Sequence, residues 1–216
     1  MKSDSQLQSD VLAELKWEPS VQSAHIGVAV KDGVVTLAGH VDSYAERWHA
    51  ERAAQRVGGV RALAVEIDVR LAGSDQHLDA DIAGAIGNAL KWIEPVKDGA
   101  VKIRVEAGWV TLAGEVDWQF QRTMAHEAVM PIMGVRGISD HIAIKPHVSV
   151  NNIKVDIEAA LKRRAESNAQ RIQVQVEGAN VTLSGIAHSW ADRELTASSA
   201  WGTPGVHRVV NNMTIA

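Results

Sequence analysis

Apolar residues along this chain recur with two alternating periods. Leu7, Val11 and Leu15 are spaced four apart, which stacks them on one stripe of a helix. Trp17 and Pro19 follow, and a proline just past the last periodic residue stops a helix. Ile26, Val28 and Val30 then alternate with small or polar residues, the period of a strand with one buried face. Asp32-Gly33 is a tight-turn pair, and Val35 and Leu37 carry the alternation back. From about Ser43 to Val57 the period becomes helical again, with Ala50, Ala53, Ala54 and Val57 on one face. Side chains that small let a helix sit close to a sheet. Gly59-Val60 reads as the end of that helix, glycine being the usual left-handed cap. Leu63, Val65, Ile67 and Val69 alternate as a last strand.

The same order returns twice. GVVTLAGHVD begins at Gly33, GWVTLAGEVD at Gly108, and NVTLSGIAH at Asn180. Gly39, Gly114 and Gly185 align, a shift of 75 residues and then of 71. Without gaps, the same shifts align Leu7, Ile82 and Ile153; Val11, Ile86 and Ile157; Leu15, Leu90 and Leu161; Val28, Ile103 and Val174; and Val60, Val135 and Val206. A register that persists from first helix to last strand marks an internal repeat. The reading is α+β: three tandem αββαβ two-layer sandwiches spanning 1–70, 77–146 and 147–216, each with two helices on a three-stranded mixed sheet. The turn of the third copy, Gly178-Ala179-Asn180, has its glycine moved by one position, so a different turn type is expected there. Units this small bury little surface alone, so the copies are expected to pack on one another.

Composition narrows the functional classes. The 216 residues are 46% hydrophobic with a formal net charge of −4, a folded composition without the basic excess of a general nucleic-acid binder. No cysteine is present, which excludes disulfides and thiolate-held zinc. Polar residues from Asp4 to Glu14 interrupt every window that could serve as a secretory h-region. No apolar run approaches the roughly 20 residues of a membrane span. On these features a cytoplasmic location is expected, with peripheral contact to a membrane left open.

An amphipathic helix, then G-x-V-x-L-x-G, an Ala-rich helix and G-V-x-x-V resembles the BON domain, named for bacterial osmotically inducible periplasmic and nodulation-related proteins. All three copies carry the pattern. The third ends in GVHRVVNN, with Asn211 where the family often has asparagine and where the earlier copies have Val65 and Asp140. The resemblance implies a non-catalytic protein that binds phospholipid or another small ligand, in the setting of envelope or osmotic stress.

Candidate residues follow from charge and aromatic placement. The chain has seven tryptophans against one tyrosine and one phenylalanine. Trp118 and Trp190, near the starts of second helices, are candidate interfacial indoles, whereas Trp17 and Trp92 are expected to close the ends of small cores. Arg47, Arg122 and Arg193 share one equivalent position; each either meets an anionic headgroup or pairs with a neighbouring acid. Lys162, Arg163 and Arg164, with Arg171, form a basic cluster suited to an anionic membrane or to the end of a helix dipole. The nine histidines are scattered, and His126-Glu127 lacks the second histidine of a zinc-protease helix. Neither a nucleophile elbow nor a phosphate-cradling loop is present. Neither an enzyme nor a cofactor is therefore expected. The expected partner is an anionic phospholipid surface or small ligand, the alternative being an adaptor that joins proteins through its repeats. The odd number of repeats leaves sheet edges that can pair between chains, but nothing in the sequence argues for a dimer.

Overall fold

The computed structural model describes residues 2–71, 73, 77–145, 153–164, 172–203 and 205–215. The first repeat consists of α1 (Asp4–Trp17), β1 (Ile26–Lys31), β2 (Val34–Val41), α2 (Tyr44–Arg56) and β3 (Ala62–Val69). The second consists of α3 (Asp79–Lys91), β4 (Val101–Glu106), β5 (Trp109–Val116), α4 (Gln119–Val129) and β6 (Gly137–Ile144). The third consists of α5 (Ile153–Arg164), β7 (Ile172–Glu177), β8 (Asn180–Ala187), α6 (Trp190–Trp201) and β9 (Arg208–Ile215). Each repeat has its own sheet, in the orders β1-β2-β3, β4-β5-β6 and β7-β8-β9. The first two strands of each are antiparallel and the last runs parallel to the middle one, because the second helix crosses back over the sheet.

Each sheet buries one face under its own helices. In β1, Ile26 and Val28 point inward while Gly27 and Ala29 are exposed. Leu7, Val11, Leu15, Val35, Leu37, Ala50, Ala54, Val60 and Ile67 build the first core. Ile82, Ile86, Leu90, Val110, Leu112, Ala125, Val129, Val135 and Ile142 repeat it in the second. In the third, Ile153, Ile157, Val181, Leu183, Ala200, Val206 and Met213 take the same places. The described cores are thus three separate clusters of equivalent residues, as the repeat register requires.

Local chemistry explains the element ends. Ser43 caps α2 by accepting from the Glu46 amide at 3.1 Å, and Ser189 caps α6 through Asp192 in the same way. α2 stops at Arg56 with Val57 as its C-cap, so Gly59 lies beyond the cap and turns the chain toward β3 instead of ending the helix. Asp32 and Gly33 both have positive φ, as do Ala107 and Gly108, the signature of a type I′ hairpin. The Asp4 carboxylate accepts from both turn amides, at 2.8 and 3.1 Å, and Asp79 does the same in the second repeat. In the third turn Gly178 has φ +61° and no neighbouring residue joins it, the change expected from its shifted glycine. Gly39 and Gly114 are obligatory: a Cβ on either would lie 2.0 Å from the carbonyl oxygen of His25 or Ala100, at φ +139° and +140°.

The repeats meet through their second helices. Tyr44, the first residue of α2, packs on the core of the second repeat, its ring 6.5 Å from that of His126 on α4. Trp190 holds the equivalent position on α6 and packs on the core of the first repeat. Trp201, at the other end of α6, packs on both the second and third cores. First meets second, second meets third, and third returns to first, so the three units close a ring through residues of α2 and α6.

Candidate functional site

The candidate aromatic and basic residues fall into two groups, one at the ends of the first helices and one at the junctions. Trp17 ends α1 and Trp92 follows α3, and they are 82% and 89% exposed. The expectation that they close small cores is therefore wrong. Leu15 and Leu90 already fill that level of the core, and two residues further along, about 200° around the helix, the side chain points into solvent. The repeat register also contains a shared basic position that motif reading passes over: Lys16, Lys91 and Lys162. Lys16 and Lys91 are exposed beside their tryptophans. In the third repeat the two places are held by Lys162 and Arg163, with Arg164 next. The backbone of α5 runs through all three, but their side chains, and Arg171 altogether, lie outside the described residues.

Trp118 and Trp190 are both half-buried but differ in setting. Trp118 stands at the N-cap of α4, where the other repeats have Ser43 and Ser189. Capping there passes to Gln121, whose Oε1 accepts from the amides of Asp117 and Trp118 at 2.8 Å each. Its Nε2 donates to the Pro95 carbonyl. The indole N–H of Trp190 instead donates to the Val60 carbonyl at 3.0 Å, an amphipathic ring used to join two repeats.

The three equivalent arginines have different partners. Arg47 Nε donates to Glu51 at 3.1 Å, and Arg122 Nε to Asp140 at 2.8 Å. Arg193 lies over the Trp190 ring at 5.1 Å, and its Nη2 donates to the Asn211 carbonyl at 3.2 Å. No carboxylate pairs with it among the described residues. Across the same junction Arg52 pairs with Glu194 and lies over Trp48 at 5.0 Å.

Burial sets two titrations at the first junction. It pushes the Tyr44 phenol up, helped by Glu51, and it holds His126 below its ordinary value against the opposing pull of Asp140 and Glu127. His25 and His40 stack at 4.7 Å. Among the described residues no group of three or more histidine, aspartate or glutamate side chains is placed to hold a metal ion, and no helix is long and apolar enough to cross a membrane.

Comparison with known proteins agrees with this architecture. The family model for the BON domain matches three times, at 3–70, 78–146 and 149–216. The chain is 30% identical over 146 residues to osmotically-inducible protein Y of Escherichia coli, covering 66% of this chain and 73% of that one. Among solved structures it is similar to CdsD, a structural protein of the type III secretion system of Chlamydia trachomatis, at 11% identity and a TM-score of 0.27 over 98% of this chain and 92% of that one. The C-terminal domain of CdsD gives 10% identity and a TM-score of 0.26, with both chains fully covered. Scores this low have no bearing on the fold.

Proposed function

The chain belongs to the BON domain family, and we propose that it is a non-catalytic binding protein that attaches peripherally to an anionic phospholipid surface under osmotic or envelope stress. The similarity to an osmotically inducible protein supports the stress setting. A single observation carries the surface: Lys16-Trp17 and Lys91-Trp92 stand exposed at equivalent helix ends, and the third equivalent end carries Lys162-Arg163-Arg164. A helix dipole accounts for a lysine in the last turn. It does not account for an indole left in water beside each one. An indole gains by entering the headgroup layer, and each basic residue beside it adds about 1 kcal/mol near anionic lipid. The three ends are equivalent positions of the three repeats, and in this reading they address one plane together.

Co-sedimentation with phosphatidylglycerol vesicles tests this. Binding should fall as salt rises, should be absent on phosphatidylcholine, and should shift tryptophan emission to the blue. Trp17→Ser with Trp92→Ser should weaken it at least tenfold without loss of fold, since both rings are exposed. No binding at low salt, or equal binding by the double variant, rejects the proposal. A single stoichiometric protein partner recovered without vesicle binding would favour the adaptor reading instead.

A further inference from the structure

The junction between the third and first repeats encloses a groove of about 350 Å³ between α2 and α6, lined in part by Trp48, Arg52, Trp190, Arg193, Glu194 and Asn211. That volume is at the lower end for small-molecule sites. Two indoles supply apolar surface, and each is covered by an arginine, Arg52 over Trp48 and Arg193 over Trp190.

The groove is lined by two glutamates and two arginines, but they do not pair off within it, because Arg47 claims one glutamate from outside the lining. Glu51, also on its wall, is held by Arg47 at 3.1 Å, and Glu194 is held by Arg52. Arg193 is left over. Its Nε is buried without a partner, and its one side-chain hydrogen bond among the described residues goes to a neutral carbonyl. The second repeat holds an acid at this place: Asp140 lies opposite Arg122 and accepts from its Nε at 2.8 Å. In the third repeat the equivalent residue is Asn211, whose Oδ1 accepts from the Met213 amide and whose Nδ2 reaches the Arg193 carbonyl. A partly desolvated guanidinium that has lost its carboxylate costs stability unless another anion takes its place.

We propose that this groove binds a small planar organic anion of the aromatic carboxylate class, its ring against the indoles and its carboxylate on Arg193. Guanidinium and carboxylate match as paired donors and acceptors, and the cation and aromatic faces together suit a flat, charged ligand better than a bare inorganic ion. This site is separate from the exposed helix ends proposed for membrane contact, and neither proposal depends on the other.

The test is a titration of the full-length ¹⁵N-labelled protein with 2-naphthoate, following the indole N–H signals of Trp48 and Trp190. Naphthalene-2-carboxamide and inorganic phosphate serve as comparison probes. Naphthoate should give saturable shifts of both signals, with the amide and phosphate each at least tenfold weaker. Asn211→Asp restores the acid of the second repeat, so it should keep the thermal midpoint or raise it while weakening naphthoate at least tenfold. Arg193→Gln should weaken it similarly, Arg193→Lys less, and Arg122→Gln not at all. Vesicle binding by Asn211→Asp should be unchanged. Absence of saturable shifts, undiminished naphthoate binding by Asn211→Asp, or phosphate binding as tightly as naphthoate would each overturn the proposal.

Discussion

The first and last junctions of the ring start from the same helix position and solve the same packing problem differently. At the first, Tyr44 lies on the second core beside the half-buried His126, rings tilted at 60°. At the last, Trp190 lies on the first core, donates to the Val60 carbonyl, and has the Arg52–Glu194 pair beside it. The equivalent residue of the second repeat is Gln119, whose Oε1 is buried with no partner among the described residues, and at the middle junction Trp201 of the third repeat supplies the aromatic surface on the second core. The cores beneath these junctions are built from equivalent aliphatic residues. After duplication each core still had to fill its own volume, whereas each junction had to match only one neighbour. Chemistry has therefore diverged where the repeats touch.

This contrast can be broken at several points. The largest effects belong to the cores: Leu37→Ala and Leu112→Ala remove equivalent, fully buried side chains and should each cost about 2–5 kcal/mol, by similar amounts, in denaturant unfolding. A large inequality would mean that the two cores are not equivalent. Next come the junctions. Trp190→Ala loses a half-buried indole and a hydrogen bond, about 2–3 kcal/mol, and should speed amide exchange around Val60 more than around Val135. Tyr44→Ala should cost less, because among the described residues no hydrogen bond from its phenol accompanies the packing.

A smaller effect separates the junctions by pH. Burial lowers the His126 pKa, so the folded protein takes up that proton less readily than the unfolded chain, whose histidine titrates near 6.5. Stability from this group is complete above that value and declines as pH falls through it, until the folded state is protonated too. Thermal midpoints should drop between pH 7.5 and 5.5, and His126→Gln should flatten that part of the profile. A profile unchanged by the substitution would show that the titration lies elsewhere. Smallest of all, Arg52→Gln removes an exposed ion pair and should cost less than about 1 kcal/mol, with the remaining difference between the junctions intact.

The fold could be read from the sequence because periodicity and register carry it. The spacing of Leu7, Val11 and Leu15, the alternation through Ile26 and Val28, and the Gly39, Gly114 and Gly185 series each repeat an intramolecular constraint three times. The junctions could not be read that way. Tyr44, Gln119 and Trp190 share a position but no chemistry, so nothing in the pattern marks them as equivalent contacts. Trp190 stood out as an aromatic residue, but a sequence does not reveal that its N–H meets a carbonyl of the first repeat. The exposure of Trp17 and Trp92 is not legible because a tryptophan just past a helix stripe resembles its continuation; the rotation over two residues decides the matter. The shared lysines were legible throughout, and the repeat register would have found them if followed past the apolar positions. Arg193 differs from Arg122 through the amide at Asn211 and the indole of Trp190 beneath it, distinctions that gain meaning once both environments are in view.

The most direct test concerns the return of the third repeat to the first. In a NOESY spectrum of the full-length protein, the indole N–H proton of Trp190 should show cross-peaks to the Val60 side chain and should exchange slowly with solvent, as a proton held at 3.0 Å donor–acceptor distance requires. A Trp190 indole that exchanges freely and shows contacts only within its own repeat would mean that the ring does not close and that the groove beside it does not exist.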